Sequence, residues 1–332
     1  MLGLLLVAGR PAWAQKTDVV KLVNGDTLTC EIKLLDRGRL QVSTDHLGTV
    51  YIEWDKVFSV TANRIFRVET STGLRMLGAL ATSEPKHLDV VQETGPVTVD
   101  QPDVVYIAPI GRSFWRQLDG GFDLGLSYTQ SSGVAQFNFG ANALYRRSNM
   151  QLSASASSYL TAGDGGESTS RHALDLGSAR YFGQRSLWLL QGGFMRNQEL
   201  GYDLRGTVSA GVGHFVARSN RAIFAVGGGL STSREVPIEG DSTQQIEALL
   251  SVRQSYFTYD SPKTDVAFVA NVYPSLSDWG RIRIEFDGRV KRELVKDFTV
   301  GFSLYDSFDS RPPTETARKN DVGLSLTIGW TF

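Results

Sequence analysis

The sequence predicts an all-β protein: a small β-rich module followed by a transmembrane antiparallel β-barrel of about twelve strands. Three observations predict it. Long segments of the later chain alternate apolar and polar residues with period two, the signature of strands with two unlike faces. Those segments run well past the ~5–6 residues of a mean soluble strand and fit the ~9–11 that a tilted strand needs to cross hydrocarbon. In residues 281–291 the polar face carries charge at every second position, which a sandwich core would not bury.

Composition agrees with strands that have one polar face. The 332 residues are 41% hydrophobic and 10% aromatic, with 34 glycines. Net charge is −1, with acids and bases interspersed and no basic block, which argues against nucleic acid as a partner. Cys30 is the only cysteine, so an intrachain disulfide and a cysteine-based zinc site are excluded. It reads as a small buried residue on a strand.

At the front, residues 2–8 form a short apolar run, and Ala12-Trp13-Ala14 supplies a small-x-small cleavage site before Gln15. Residues 1–14 therefore read as a secretory signal peptide, although no Lys or Arg precedes the run. No stretch approaches the ~18 consecutive apolar residues of a transmembrane helix.

Residues 15–110 read as a periplasmic module of short strands. Strands at 19–23 and 27–34 flank the hairpin turn Asn24-Gly25-Asp26, and 40–43, 49–54 and 57–61 follow. The pattern then recurs at an offset of about 47 residues: Gly48 matches Gly95, Val50 matches Val97, Ile52 matches Val99 and Val57 matches Val104. This predicts two copies, 17–62 and 64–109, of an SH3- or Sm-like five-stranded barrel.

Residues 114–332 carry the long strands. Phe122, Leu124, Leu126 and Tyr128 alternate with Gly121, Asp123, Gly125 and Ser127, and equivalent rhythms run to the end of the chain. Tight turns at 146–149, 183–185 and 218–221 alternate with longer connections at 161–170, 197–203, 231–242 and 307–320. Turns at 258–264 and 291–296 look long for the same side. With both ends in the periplasm, the tight turns lie there and the long loops outside. The final strand places Leu326, Ile328, Trp330 and Phe332 on one face and ends on the aromatic. A strand of that form resembles the signal read by the outer-membrane barrel assembly machinery.

The most unusual chemistry is a lumen-facing ladder, Arg281, Arg283, Glu285, Asp287 and Arg289, with Arg253 and Glu247. It reads either as the lining of a narrow pore or as a salt-bridge lattice with Glu247, Arg253, Asp265 and Asp123 that fills the lumen. His214 shares parity with Val208, Ala210 and Val212, which places it on the lipid face near the periplasmic side. His172, with Ser168 and Ser170 beside it and Asp164 or Glu167 to orient it, is the one place for a lipid-hydrolysing His–Ser pair. The expectation is nonetheless no catalytic residue. Asp164, Glu167, Asp306 and Asp309 do not match a calcium-loop spacing, and Gly227-Gly228-Gly229 lies mid-strand with no helix after it. No metal or cofactor is expected.

Asn24-Gly25-Asp26, the run Gly48-Thr49-Val50-Tyr51-Ile52 with Val57, and Trp115 through Gly121-Phe122-Asp123-Leu124-Gly125 together resemble the YdiY-like salt-induced outer-membrane protein family. The resemblance covers nearly the whole mature chain. It implies location more than activity, since that family has no established catalytic residues. The leading expectation is thus an outer-membrane barrel with a structural or envelope-stress role. Its expected partners are outer-membrane lipid, lipopolysaccharide, the assembly machinery, and peptidoglycan or another envelope protein. A narrow diffusion channel is the alternative, and a lipid hydrolase the third reading.

Overall fold

A computed structural model describes residues 16–110, 118–130, 133–147, 149–163, 168–197, 202–238, 241–311 and 319–330. The leader expected at 1–14, Trp115, Asp164, Glu167 and Phe332 lie outside the described residues. Every long element is a strand, and among the described residues no helix is long and apolar enough to cross a membrane.

The module holds nine strands: β1 (Asp18–Leu22), β2 (Thr27–Asp36), β3 (Arg39–Ser43), β4 (Thr49–Glu53), β5 (Val57–Thr70), β6 (Arg75–Ala81), β7 (His87–Gln92), β8 (Gly95–Asp100) and β9 (Val104–Pro109). They form one barrel-like sheet in the order β4-β3-β2-β1-β5-β6-β7-β8, with β9 pairing both β2 and β5. The 14-residue β5 belongs to both halves. It pairs β1 through Val57–Thr61 and β9 through Phe66–Thr70.

Single 3-10 turns at Trp54–Lys56 and Gln101–Asp103 precede β5 and β9. They lock to each other: the Trp54 indole donates to the Gln101 carbonyl at 2.7 Å, and the Gln101 amide donates to the Trp54 carbonyl at 2.6 Å. Inward-facing residues of these strands give one apolar core that includes Val20, Ile32, Leu35, Leu40, Phe66, Leu88, Val90 and Ile107. Cys30 lies in it. Burial first, then the Asp18 carboxylate, pushes its thiol up to about 11, so it is protonated and inert at neutral pH.

Buried carboxylates in the module are held by backbone and side-chain donors. Asp18 accepts the Ile32 N–H at 2.8 Å and meets Arg64. Asp89 accepts the Ser83 N–H at 2.8 Å and the Thr98 hydroxyl at 2.5 Å. Burial alone raises the pKa of Asp89, but these bonds outweigh it and hold the carboxyl below its ordinary value. Because the folded pKa is the lower one, its contribution is complete above the unfolded value of about 4 and disappears as pH falls through the folded value. Asp89→Asn therefore costs about 1–3 kcal/mol at pH 7, a penalty that shrinks on acidification. Amide exchange of residues 87–100 in the full chain, at pH 7 and under acid, measures both.

The C-terminal β-barrel has twelve strands, as the sequence predicts: β10 (Leu118–Thr129), β11 (Val134–Arg146), β12 (Met150–Ala162), β13 (Ser168–Phe182), β14 (Ser186–Asn197), β15 (Tyr202–Arg218), β16 (Ala222–Pro237), β17 (Thr243–Thr258), β18 (Thr264–Pro274), β19 (Ile282–Val295), β20 (Phe298–Asp309) and β21 (Asn320–Trp330). Each pairs antiparallel with the next in chain order. Among the described residues no ladder joins β10 to β21.

Burial in this sheet is inverted relative to a water-soluble core. On β16 and β17 the polar Ser231, Ser233 and Glu247 are 5%, 5% and 3% exposed, whereas the apolar Leu230 and Leu250 are both 57% exposed. Cross-strand register puts each set on its own face: Ser231 pairs Glu247, and Gly228 pairs Leu250. On these two strands the polar face is therefore the enclosed one. The apolar face continues outward through Leu126, Trp188, Val208, Ile284, Phe302 and Leu326.

Two boundaries differ from the sequence reading. β16 reaches Pro237, so the connection expected at 231–242 contracts to 238–242. The apolar rhythm fades there, but Ser231, Ser233 and an Arg205–Glu235 ion pair at 3.3 Å continue the inner face. Likewise β19 extends to Val295, which leaves a two-residue turn where 291–296 was expected. Glu293 explains the extension, since its carboxylate accepts the N–H groups of Lys263 and Asp297, both at 3.0 Å, and stitches neighbouring tight turns together.

Candidate functional site

Two places concentrate chemistry: the inner wall of the barrel, and the junction between the tight turns and the module.

On the inner wall, the ladder residues separate into a paired group and an unpaired group. Arg283 donates from Nε and Nη2 to the two Glu247 oxygens, each at 2.8 Å, and from Nη1 to Glu285 at 3.4 Å. Its guanidinium lies 4.6 Å from the Tyr273 ring centre, and the Tyr273 hydroxyl donates to Glu285 at 3.0 Å. Arg281 forks onto Asp309 at 3.0 and 2.5 Å. This bidentate pairing also leaves Asp309 an unsuitable calcium ligand.

The wider lattice, one of the two readings of the ladder, does not form among the described residues. Among the described residues Arg253, Asp287, Arg289 and Asp123 join no ion pair, and Asp265 pairs with Arg37 of the module at 2.9 Å. Register gives the reason. The strand neighbours of Arg253 are Ala225 and Val269, and those of Arg289 are Ala267 and Ser303, so no carboxylate lies opposite.

His172 bonds Ser158 across β12 and β13 at 2.9 Å, not the Ser168 or Ser170 suggested by sequence proximity. His214 bonds Ser186 in the same way at 2.9 Å. Among the described residues no carboxylate hydrogen-bonds either ring; Asp164 and Glu167, the acids expected to orient His172, lie outside them. Leu326, Ile328 and Trp330 are 64%, 67% and 73% exposed on the outer face of β21. Gly227–Gly229 sits inside β16, away from any helix.

The junction escaped the sequence reading. Four successive tight turns of the barrel bind it. Arg67 donates to the Arg147 carbonyl at 2.8 Å. Arg75 donates to the Gly183 and Gln184 carbonyls, both at 2.8 Å, while Arg185 reaches back to the Thr72 and Ser71 carbonyls at 3.2 and 3.3 Å. The Asn220 amide donates to the Pro102 and Val104 carbonyls at 3.0 and 2.9 Å. Lys56 meets Asp260 at 3.2 Å.

Two glycines set how closely the bodies approach. Gly38 and Gly73 have φ of +69° and +89°, and a Cβ on either would fall 2.4 Å from the Asn220 or Gln184 carbonyl oxygen. Only a residue without a side chain fits both the backbone and the gap.

At the centre lies an ion node. Glu69 receives Arg67 at 3.2 Å, Arg75 at 3.3 Å and Arg218 of the barrel at 2.6 Å. The Arg67 side chain is 1% exposed and stacks between Tyr106 and Tyr181, at 4.8 and 5.4 Å from the ring centres. Arg37 lies 4.5 Å from the Phe257 ring centre while pairing with Asp265. Tyr181, Phe257 and Asp265 share parity with inner-face residues of their strands, so the module's arginines reach over the rim onto the lumen wall. Burial raises the pKa of Asp36, opposed by Arg218 and Arg37 beside it.

Glu53, Asp55 and Asp260 each bring an oxygen within 4.8 Å of the others at this rim. Lys56, 3.7 Å from Asp55 and 3.2 Å from Asp260, already supplies the neutralising charge.

The model of one family, described as protein of unknown function DUF481, matches residues 123–332. The chain belongs to that family. YdiY-like proteins belong to it too, in agreement with the resemblance read from the sequence. The match spans the DUF481 barrel from β10 onward and leaves the module outside it. No curated protein and no solved structure matches the chain.

Proposed function

We propose that this DUF481 chain is an outer-membrane barrel that holds its N-terminal module at the periplasmic mouth, with a structural or envelope role and no catalytic activity. The inverted burial carries the reading. Leu230 and Leu250 stand exposed while Ser231, Ser233 and Glu247 are enclosed, an arrangement whose free energy is favourable only where the outer solvent is hydrocarbon. The tight turns and the module then share the periplasmic side, where the module can meet peptidoglycan or an envelope protein. Exposed Leu326, Ile328 and Trp330 on β21 suit recognition by the barrel assembly machinery. The lipid and lipopolysaccharide of the outer membrane surround the barrel. Sedimentation of cell membranes under alkaline carbonate tests the reading: the protein is expected to remain in the pellet and to need detergent for release. Release into the carbonate supernatant would contradict it.

The unpaired Asp287 and Arg289 favour a second reading, a narrow diffusion channel. In planar bilayers Arg289→Ala is expected to change ion preference, because no ion pair neutralises this charge. Arg283→Ala is expected to lower stability as well, by about 3–5 kcal/mol, because it strands Glu247. Conductance steps indifferent to both substitutions would remove the ladder from the path.

A further inference from the structure

We propose that the module is a releasable plug over the periplasmic end of a path for small polar solutes, an inference that rests on the outer-membrane reading and extends its channel alternative. Three observations lead there.

The module carries its own apolar core, from Val20 to Ile107, and shares none of it with the barrel. What holds it to the rim is arginine and asparagine donors on turn carbonyls, the ion pairs of Glu69, Asp265 and Asp260, and arginines laid over the Tyr181, Phe257 and Tyr259 rings. Water can replace the hydrogen bonds and ion pairs, and separation leaves the module's own core intact, so the module can leave as a folded body.

Attachment is also one-sided. Module hydrogen bonds and ion pairs reach the turns after β11, β13, β15 and β17 and the start of β18. Among the described residues none reaches the turn between β19 and β20. The free side is the one below Asp287 and Arg289, the ladder residues without partners.

Behind the plug the inner wall is polar. Asn138, Asn142, Ser153, Ser155 and Ser157 line one arc by parity and register, and the opposite arc carries charges of both signs. Such a wall suits small hydrophilic solutes of either sign and none that is greasy. With the module seated, Arg67 and Arg75 cover Tyr181, and Arg37 covers Phe257 and Asp265.

The test is single-channel recording on the full chain in planar bilayers with potassium chloride as the probe, after insertion is verified by protease protection. Lys56→Cys with Asp260→Cys, joined by a reducible dithiol-reactive cross-linker, locks the plug at an exposed pair now 3.2 Å apart. Buried Cys30 does not compete. The cross-linked protein is expected to stay closed, and reduction to raise open probability at least tenfold. Arg75→Ala, which removes two turn contacts together with the pair to Glu69 and the cover over Tyr181, is expected to raise it further. Inserted protein whose conductance is the same locked, reduced and in Arg75→Ala overturns the plug. Protein that never becomes protected in the bilayer overturns instead the membrane reading beneath it.

Discussion

Glu69→Gln is expected to destabilise the full chain by about 3–5 kcal/mol, the cost of removing one partner from a buried ion cluster. Glu69 is 2% exposed and faces three guanidiniums, of which Arg67 is itself 1% exposed. Glutamine keeps the shape and one acceptor oxygen but leaves three like charges without an anion between them. Asp36 is the nearest carboxylate able to respond, at 3.7 Å from Arg218, and burial already opposes its ionisation. The damage should therefore appear at the junction before it appears in either body. In detergent, the linker after β9 is expected to become cleavable by dilute protease in Glu69→Gln while the barrel stays protected. An unchanged cleavage rate and an unchanged unfolding midpoint would mean that the node contributes nothing to docking.

Leu250→Arg is the second large effect, expected to cost about 2–4 kcal/mol in a bilayer if this position lies near the midplane. Its neighbour gives the control. Ser251 is one residue along β17 and faces the opposite way, so Ser251→Arg places the same charge on the polar wall. The penalty there is expected to be within about 1 kcal/mol. Urea unfolding in lipid vesicles measures both. A soluble barrel would give the reverse ranking, because an exposed Leu250→Arg on a wet surface costs almost nothing.

The two-solvent pattern made most of the barrel legible in the sequence. β19 and β21 alternate cleanly because each residue must suit either an apolar or a polar surrounding, and period two follows from the pleat. The rhythm becomes unreadable where the inner face alone continues a strand. Ser231, Ser233 and Glu235 look like loop residues until Glu247 and Arg205 are seen opposite them. Pairing within the ladder was similarly hidden, because register decides that Arg283 meets Glu247 while Arg253 faces Ala225 and Val269. The junction was the least legible part. Arg67 and Glu69 are two residues apart on β5, a spacing that puts both on one face, yet it describes any solvated strand equally well. Their partners Arg147 and Arg218 lie 80 and 149 residues away. Gly38 and Gly73 read as turn glycines, and only the opposing carbonyls of Asn220 and Gln184 give them a second reason to lack a side chain.

Cysteine placed in turn at positions 248 to 253 of β17 gives the most direct measurement of the central claim. Cys30 is buried and protonated, so the background is silent. In vesicles containing brominated lipid, fluorophores at the even positions 248, 250 and 252 are expected to be quenched by the acyl chains. The odd positions 249, 251 and 253 are expected to escape quenching and to meet a water-soluble quencher admitted to the lumen. Equal quenching at odd and even positions, or none by lipid at either, would contradict a barrel wall that separates hydrocarbon from water.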